Sequence, residues 1–218
     1  LDSVDKNNFW KVVDQCYLCD VCYLTKCPYV PPHEWNVDFP HTMLRAKAIQ
    51  FKKGTKTQFR DKTLSNTSVN GKLSSIPVVV NAVNSATKSK ITRGFIDKYL
   101  GVHKEAWLPT FTSKTFQKTA EKSYNFEVKN GKKSLGKVAI YSTCYVNWNE
   151  PGIGHALIKI LNLNQIPFVL VKNQSCCGMP KLELGDLDSV AKLKHQNIGQ
   201  LARLASEGYA IISPIPSC

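Results

Sequence analysis

The chain has 218 residues, 43% of them hydrophobic and 10% aromatic, which allows one large or two small domains with real cores and excludes overall disorder. No run approaches the roughly 18 apolar residues that a membrane-spanning helix needs; the richest, residues 76–83, is interrupted by Pro77 and Asn81. The net charge of +13 comes from residues 52–137, where 18 basic residues face five acidic ones, while the remainder carries 11 of each sign. No secretory signal is visible. The chain opens on Leu1 and stops on Cys218 inside a cysteine motif, so a fragment is the expectation.

Residues 1–15 read as the end of a helix, with Phe9, Val12 and Val13 at helical spacing and Asp2 or Asp5 as its cap. They lead into Cys16, Cys19, Cys22 and Cys27-Pro28. Three cysteines at intervals of three present their thiolates from a tight loop to one cluster face. In bacterial ferredoxins the cysteine before proline ligates the other cluster of a pair. The usual gap before that cysteine is three residues; here it is four, 23–26. Neither set is complete in this stretch, so a partner motif is expected upstream of Leu1. A zinc ribbon is the competing reading, but it needs two cysteine pairs across a longer loop.

Residues 28–41 are rich in proline and aromatics, a rigid wrap rather than helix or sheet. His33 and His41 lie here, and surface or hydrogen-bonding roles suit them better than ligation. A helix follows over 42–51. Residues 52–136 are rich in Lys, Thr, Ser and Asn, with helices expected over 77–86, 91–99 and 113–122, a stop at Gly101 and a closing turn at Gly131. This basic region is either a docking surface for an acidic redox partner or anionic headgroups, or simply a solvated face.

From residue 137 the pattern becomes strand (138–141), Cys144, helix, strand (166–171), Cys176-Cys177-Gly178, helix (186–207), strand (209–213), Cys218. Helices joining successive strands make them parallel. All strands of an open parallel sheet finish on the edge where ligands sit. Cys144, Cys176, Cys177 and Cys218 can therefore converge on one point. Ala156, Leu157, Ile160 and Leu161 are expected to face the sheet from the first helix. Val190, Leu193, Ile198, Leu201 and Leu204 should do so from the second. His155, on the opening turn of the first, is read as an ordinary surface histidine rather than one tuning a cluster. Adjacent cysteines rarely bond to each other, so the Cys176-Cys177 pair favours metal over disulfide.

The Cys144, Cys176-Cys177-Gly178, Cys218 pattern resembles a CCG cysteine-rich domain, the module of heterodisulfide reductase B-type subunits and of the anaerobic glycerol-3-phosphate dehydrogenase C subunit. The order of a ferredoxin-type motif followed by a CCG domain is most similar to the latter family. Within it, the run from Cys16 to Trp35 resembles a rubrerythrin-associated subgroup of iron–sulfur oxidoreductases. The family's CCG pattern often ends in a further Cys-x-x-Cys, which leaves the cluster type there open.

The resemblance implies an α+β protein with three parts. Residues 1–51 form part of an N-terminal α-helical ferredoxin-like domain, 52–136 a basic connecting region, and 137–218 an α/β parallel-sheet CCG domain. It implies Cys16, Cys19, Cys22 and Cys27 as ligands of ferredoxin-type 4Fe-4S clusters, and Cys144, Cys176, Cys177 and Cys218 as ligands of a second cluster. The function implied is an electron-transfer subunit that links a flavin dehydrogenase or rubrerythrin-like partner to a quinone or soluble carrier. Such a protein would be cytoplasmic or peripheral at the inner face of the membrane. Two rival readings stand beside it: a CCG centre that is itself catalytic, as in heterodisulfide reductase, and a zinc-stabilised basic binding protein. The basic residues avoid the cysteine motifs and no recognition helix or stacking motif is present, so nucleic acid is not expected as a partner. No Ser-His-Asp set, phosphate loop or dinucleotide glycine motif occurs.

Overall fold

The computed structural model describes residues 5–54, 59–124 and 136–218. Asp2 and the turn at Gly131 lie outside the described residues. The fold is α+β. Its described residues divide into two compact units, one of residues 5–54, 59–65 and 178–191, the other of 66–124, 136–177, 192–216 and Cys218.

In the first unit, α1 (Lys6–Gln15) is capped by the Asp5 carboxylate, which accepts from the Asn7 amide at 2.9 Å. After a π-helical turn (Cys22–Lys26) the chain reaches α2 (Phe39–Lys53). This helix starts three residues earlier than its apolar pattern suggests, because Asp38 accepts from the His41 amide and Pro40 sits in the first turn. The short α3 (Phe59–Leu64) carries no strong periodic signal. The proline-rich wrap is pinned by an aromatic group in which Tyr29 and Trp35 stack at 5.0 Å and His33 meets both rings edge-on.

The second unit begins with α4 (Thr67–Ser74), followed by α5 (Pro77–Lys88), α6 (Lys90–Leu100) and α7 (Phe116–Ser123). Gly101 ends α6 in the left-handed conformation, as a C-terminal stop requires. Buried Arg93 of α6 donates to the carbonyls of His103, Lys104 and Ala106. Asn84 of α5 both donates to the Phe111 carbonyl and accepts from its amide, at 2.8 and 2.9 Å. Polar side chains thus do much of the ordering in this weakly apolar stretch.

The sheet holds three parallel strands, β1 (Lys137–Ile140), β2 (Phe168–Leu170) and β3 (Tyr209–Ile212), in the order β2-β1-β3. β1 is central, with Ala139 beside Val169 on one side and Ile211 on the other. α8 (Thr143–Trp148) and α9 (Pro151–Leu163) join β1 to β2, and α11 (Leu187–Ser206) leads into β3, preceded by the short α10 (Met179–Leu184) of the first unit. One core cluster gathers Phe116, Ile140, Val146, Ile158 and Leu161. A second joins Ala139, Tyr141, Val171 and Leu204.

Two expected faces are corrected. On α9 the inward stripe is Gly154, Leu157, Ile158 and Leu161, while Ala156 and Ile160 face solvent. The stripe is turned because Gly154 admits the Phe116 ring: a Cβ there would lie 2.4 Å from it. On α11 the polar Asn197 is buried and the apolar Ile198 is 52% exposed. His155 is likewise no plain surface residue, since its ring meets those of Phe116 and Tyr124 and its Nε2 lies 2.9 Å from Thr119 Oγ1.

Gly154→Ala should destabilise the protein by about 1–3 kcal/mol through overpacking against Phe116, read as a lower denaturation midpoint; an unchanged midpoint would contradict the packing. Partial burial, with Lys159 nearby, holds the His155 pKa below its usual value of about 6.5. Because the unfolded chain then protonates first, stability is complete above that value and falls as pH drops through it. A His155→Gln variant should flatten this part of the Tm–pH profile.

Candidate metal centre

Each strand of the parallel sheet ends where a cysteine follows. β1 runs into Tyr141, Ser142 and Thr143, and Cys144 lies in the first turn of α8. β2 runs into the loop that carries Cys176 and Cys177, and Cys218 follows β3. All four lie near enough for their charges to act on one side chain, Tyr141. Burial raises the pKa of its phenol far above the usual range. The charges of Cys177, Cys176, Cys218 and Cys144, in that order, raise it further.

The sulfurs also act on one another. A hydrogen bond to Cys176, then burial, then the Cys176 charge push the Cys144 thiol far above its ordinary range. Burial and the neighbouring sulfur charge thus both disfavour the Cys144 thiolate. A multivalent cation reverses that order and deprotonates its coordinating thiols. This donor set therefore fits an iron–sulfur group. Among the described residues, no three His, Cys, Asp or Glu side chains stand close enough to hold a single metal ion.

The loop bearing Cys176 is fixed by residues that sequence reasoning did not select. Asn197 of α11 accepts from the Ser175 amide at 2.8 Å and donates to the Cys176 carbonyl at 3.1 Å and to the Tyr141 hydroxyl at 3.2 Å. The Tyr141 hydroxyl donates to the Ser175 carbonyl. Gln174 accepts from the Thr143 amide and donates to Ser142. Gly178 then takes φ 99°, a conformation that L side chains rarely adopt.

Cys176 is also reached from the basic region. The Thr67 hydroxyl donates to the Cys176 sulfur at 3.2 Å, and the Cys176 amide donates to Ser68 Oγ at 3.3 Å. Both residues stand in the first turn of α4, whose positive dipole end suits negative charge. A Cβ on Gly71 would lie 2.1 Å from the Trp148 ring, so only glycine lets α4 approach α8 this closely. No cysteine spacing signals Thr67.

In the first unit, Cys16 caps the C-terminus of α1, Cys22 opens the π-helical turn, and the Cys27 amide closes that turn onto the Cys22 carbonyl at 3.0 Å. Leu18 and Asp20 have positive φ on either side of Cys19, which is exposed. The motif is thus a tight, irregular loop. His33 accepts from the Trp35 amide, and His41 pairs with Asp38 at 2.8 Å, so both histidines have other work.

The chain is similar in sequence to several known proteins. Residues 138–218 match the family model of the CCG cysteine-rich domain. The chain is 28% identical over 167 residues to the C subunit of the anaerobic glycerol-3-phosphate dehydrogenase of Escherichia coli, covering 75% of this chain and 40% of that one. It is 32% identical over 127 residues to an uncharacterized iron-sulfur protein of Methanococcus maripaludis, covering 56% and 25%. It is 30% identical over 89 residues to the B subunit of the fumarate reductase (CoM/CoB) of Methanothermobacter marburgensis, covering 40% and 17%. The chain spans about two fifths of the length of the first of these relatives. No solved structure matches it.

Asn197→Ala should lower stability by about 1–3 kcal/mol, since it leaves buried partners unsatisfied; a denaturation midpoint within error of the parent would contradict that role. Residues 138–218 match the CCG cysteine-rich domain, and the chain is similar to a subunit of an anaerobic dehydrogenase and to an iron-sulfur protein.

Proposed function

We propose that the chain is the electron-transfer part of an oxidoreductase, with iron–sulfur clusters of the 4Fe-4S kind held by its two cysteine sets. The convergence of Cys144, Cys176, Cys177 and Cys218 around Tyr141 carries this reading. On it, those four ligate the cluster of the CCG domain, and Cys16, Cys19, Cys22 and Cys27 supply ligands to ferredoxin-type clusters. When bound, such clusters supply one-electron redox chemistry.

The chain's own residues then set how readily an electron is held. Thr67 donates to the Cys176 sulfur. That bond stabilises the more negative, reduced state and raises the potential. Asn197 and Tyr141 hold the loop in place for it. The partners on this reading are a flavin dehydrogenase or rubrerythrin-like protein on one side, and a quinone or soluble carrier on the other. That the relatives are parts of a dehydrogenase and a reductase supports a redox partner of this general kind. α5 and α6 expose Val78, Ile91, Phe95 and Tyr99 alongside Lys88, Lys90 and Lys98. This mixed basic and apolar face suits an acidic protein partner and also the anionic inner face of a membrane. Among the described residues, no helix is long and apolar enough to cross a membrane. The reading places the chain in the cytoplasm, working at that boundary or beside its dehydrogenase.

Anaerobically reconstituted protein should show reducible cluster signals in electron paramagnetic resonance, with Cys22→Ser losing one and Cys177→Ser another. Unchanged spectra in both variants would refute the assignment. Thr67→Val should keep its iron but show a lower midpoint potential for the CCG-domain cluster; an unshifted potential would remove Thr67 from that role.

A further inference from the structure

Helix α6 presents a face that no described residue covers. Ile91, Phe95 and Tyr99 recur at every fourth position, so they form one row along the helix, and they are 75%, 59% and 71% exposed. The Phe95 and Tyr99 rings stack at 6.2 Å. Large apolar side chains exposed singly are ordinary, but a row of three is a patch of the kind that marks an interaction surface. The adjoining row is Lys90, Gly94 and Lys98, all exposed, with the Lys98 ammonium 5.7 Å from the centre of the Tyr99 ring. The other two charged residues of the helix are engaged elsewhere. Arg93 is buried against three carbonyls of the following loop, and Asp97 accepts from the Lys104 amide. The charge that this face offers is therefore positive.

Gly94 has no packing reason to be glycine. Glycine inside a helix is destabilising relative to alanine. At Gly71 and Gly154 a ring of this chain fills the space that a Cβ would take, whereas a Cβ on Gly94 would meet nothing within 4 Å. The missing side chain leaves a notch between two lysines, beside the aromatic row. Gly199 of α11 is open too, but the next cation in its row, Arg203, already pairs with Glu207 at 3.8 Å, and no aromatic row adjoins it.

A second copy of the chain is a poor occupant, since a two-fold contact would set these lysines against their own counterparts. A lipid surface matches the charge but gains nothing from a notch one side chain wide; a partner with a fixed carboxylate does. α6 packs on α5, whose first residue, Pro77, lines the same cavity as Cys144 and Cys176. The face thus lies one helix away from the cysteine centre. We propose that it docks a small acidic electron-carrier protein. A carboxylate of the carrier seats over Gly94 between Lys90 and Lys98, and the apolar surface around that carboxylate covers Phe95 and Tyr99. The aromatic row supplies the core of the contact and the lysines orient the approach. That the partner is a redox protein rests on the electron-transfer reading; the docking itself needs no cluster.

Calorimetric titration of the full chain, metal-free and cluster-loaded in parallel, tests this with a purified flavodoxin and a plant-type ferredoxin as acidic carriers. One-to-one binding of at least one carrier to both forms is expected, weakening as salt is raised. A Lys90→Gln, Lys98→Gln double variant and a Phe95→Ala variant should each bind about tenfold more weakly, as the loss of rim charges or of an aromatic anchor implies. Gly94→Leu separates docking from stability. It should raise the denaturation midpoint, because leucine is the better helix former, and yet bind about tenfold more weakly, because the notch is filled. Gly199→Leu should raise the midpoint and bind like the parent. Binding of neither carrier, or a Gly94→Leu variant that binds like the parent, overturns the proposal. Sedimentation with vesicles of equal parts phosphatidylglycerol and phosphatidylcholine that Gly94→Leu strengthens, where neither carrier binds, would assign the face to lipid instead. If a carrier binds but, when reduced, passes no electron to the cluster-loaded protein, the electron-transfer reading fails and the docking site stands.

Discussion

Four sulfur atoms crowded at one edge of a parallel sheet are the constraint on which the rest of the second unit depends. Burial and neighbouring sulfur charge keep the Cys144 thiol protonated, and positive charge placed among the sulfurs reverses that preference. The polypeptide around them holds them in place. Tyr141 and Asn197 tie the Cys176 loop to the sheet and to α11, and Gln174 ties it to the start of α8. These bonds join elements more than 20 positions apart in sequence, so the site is shaped by the fold and not by a local motif. Preorganisation of this sort is what a cluster needs, because bending the backbone at each change of charge would slow electron transfer.

The basic region has two roles. Its helix α4 packs on α8, and the first turn of α4 touches Cys176 through Thr67 and Ser68. Its helical pair α5 and α6 instead exposes apolar and basic side chains together. A segment that composition marks as a mere connection therefore completes one wall of the centre and offers a surface outward.

Much of the sheet was legible because strands joined by helices are bound to be parallel, and a cysteine just past each strand end then has one place to go. The match of β1, β2 and β3 to the expected runs follows from their short apolar character and flanking turns. Other parts were not legible for identifiable reasons. Asn197 interrupts an apolar stripe, and periodicity assigns such a position to solvent; only its bonds to the Cys176 loop explain its burial. Ile198 suffers the reverse assignment. Thr67 reaches Cys176 across 109 positions, and no local pattern encodes that contact. Thr143 takes a backbone conformation that β-branching disfavours, which a propensity argument counts against. α4 is short and polar, with Gly71 in its interior; helix propensity disfavours that glycine, yet Trp148 requires it.

The most direct measurement of the central claim is a cysteine alkylation footprint, read by mass spectrometry on the chain before and after anaerobic reconstitution with iron and sulfide. The account predicts that Cys144, Cys176, Cys177 and Cys218 become protected together, at one rate and in step with iron uptake. Continued reactivity of any of the four at full iron loading, or protection of each at its own rate, would contradict a shared centre.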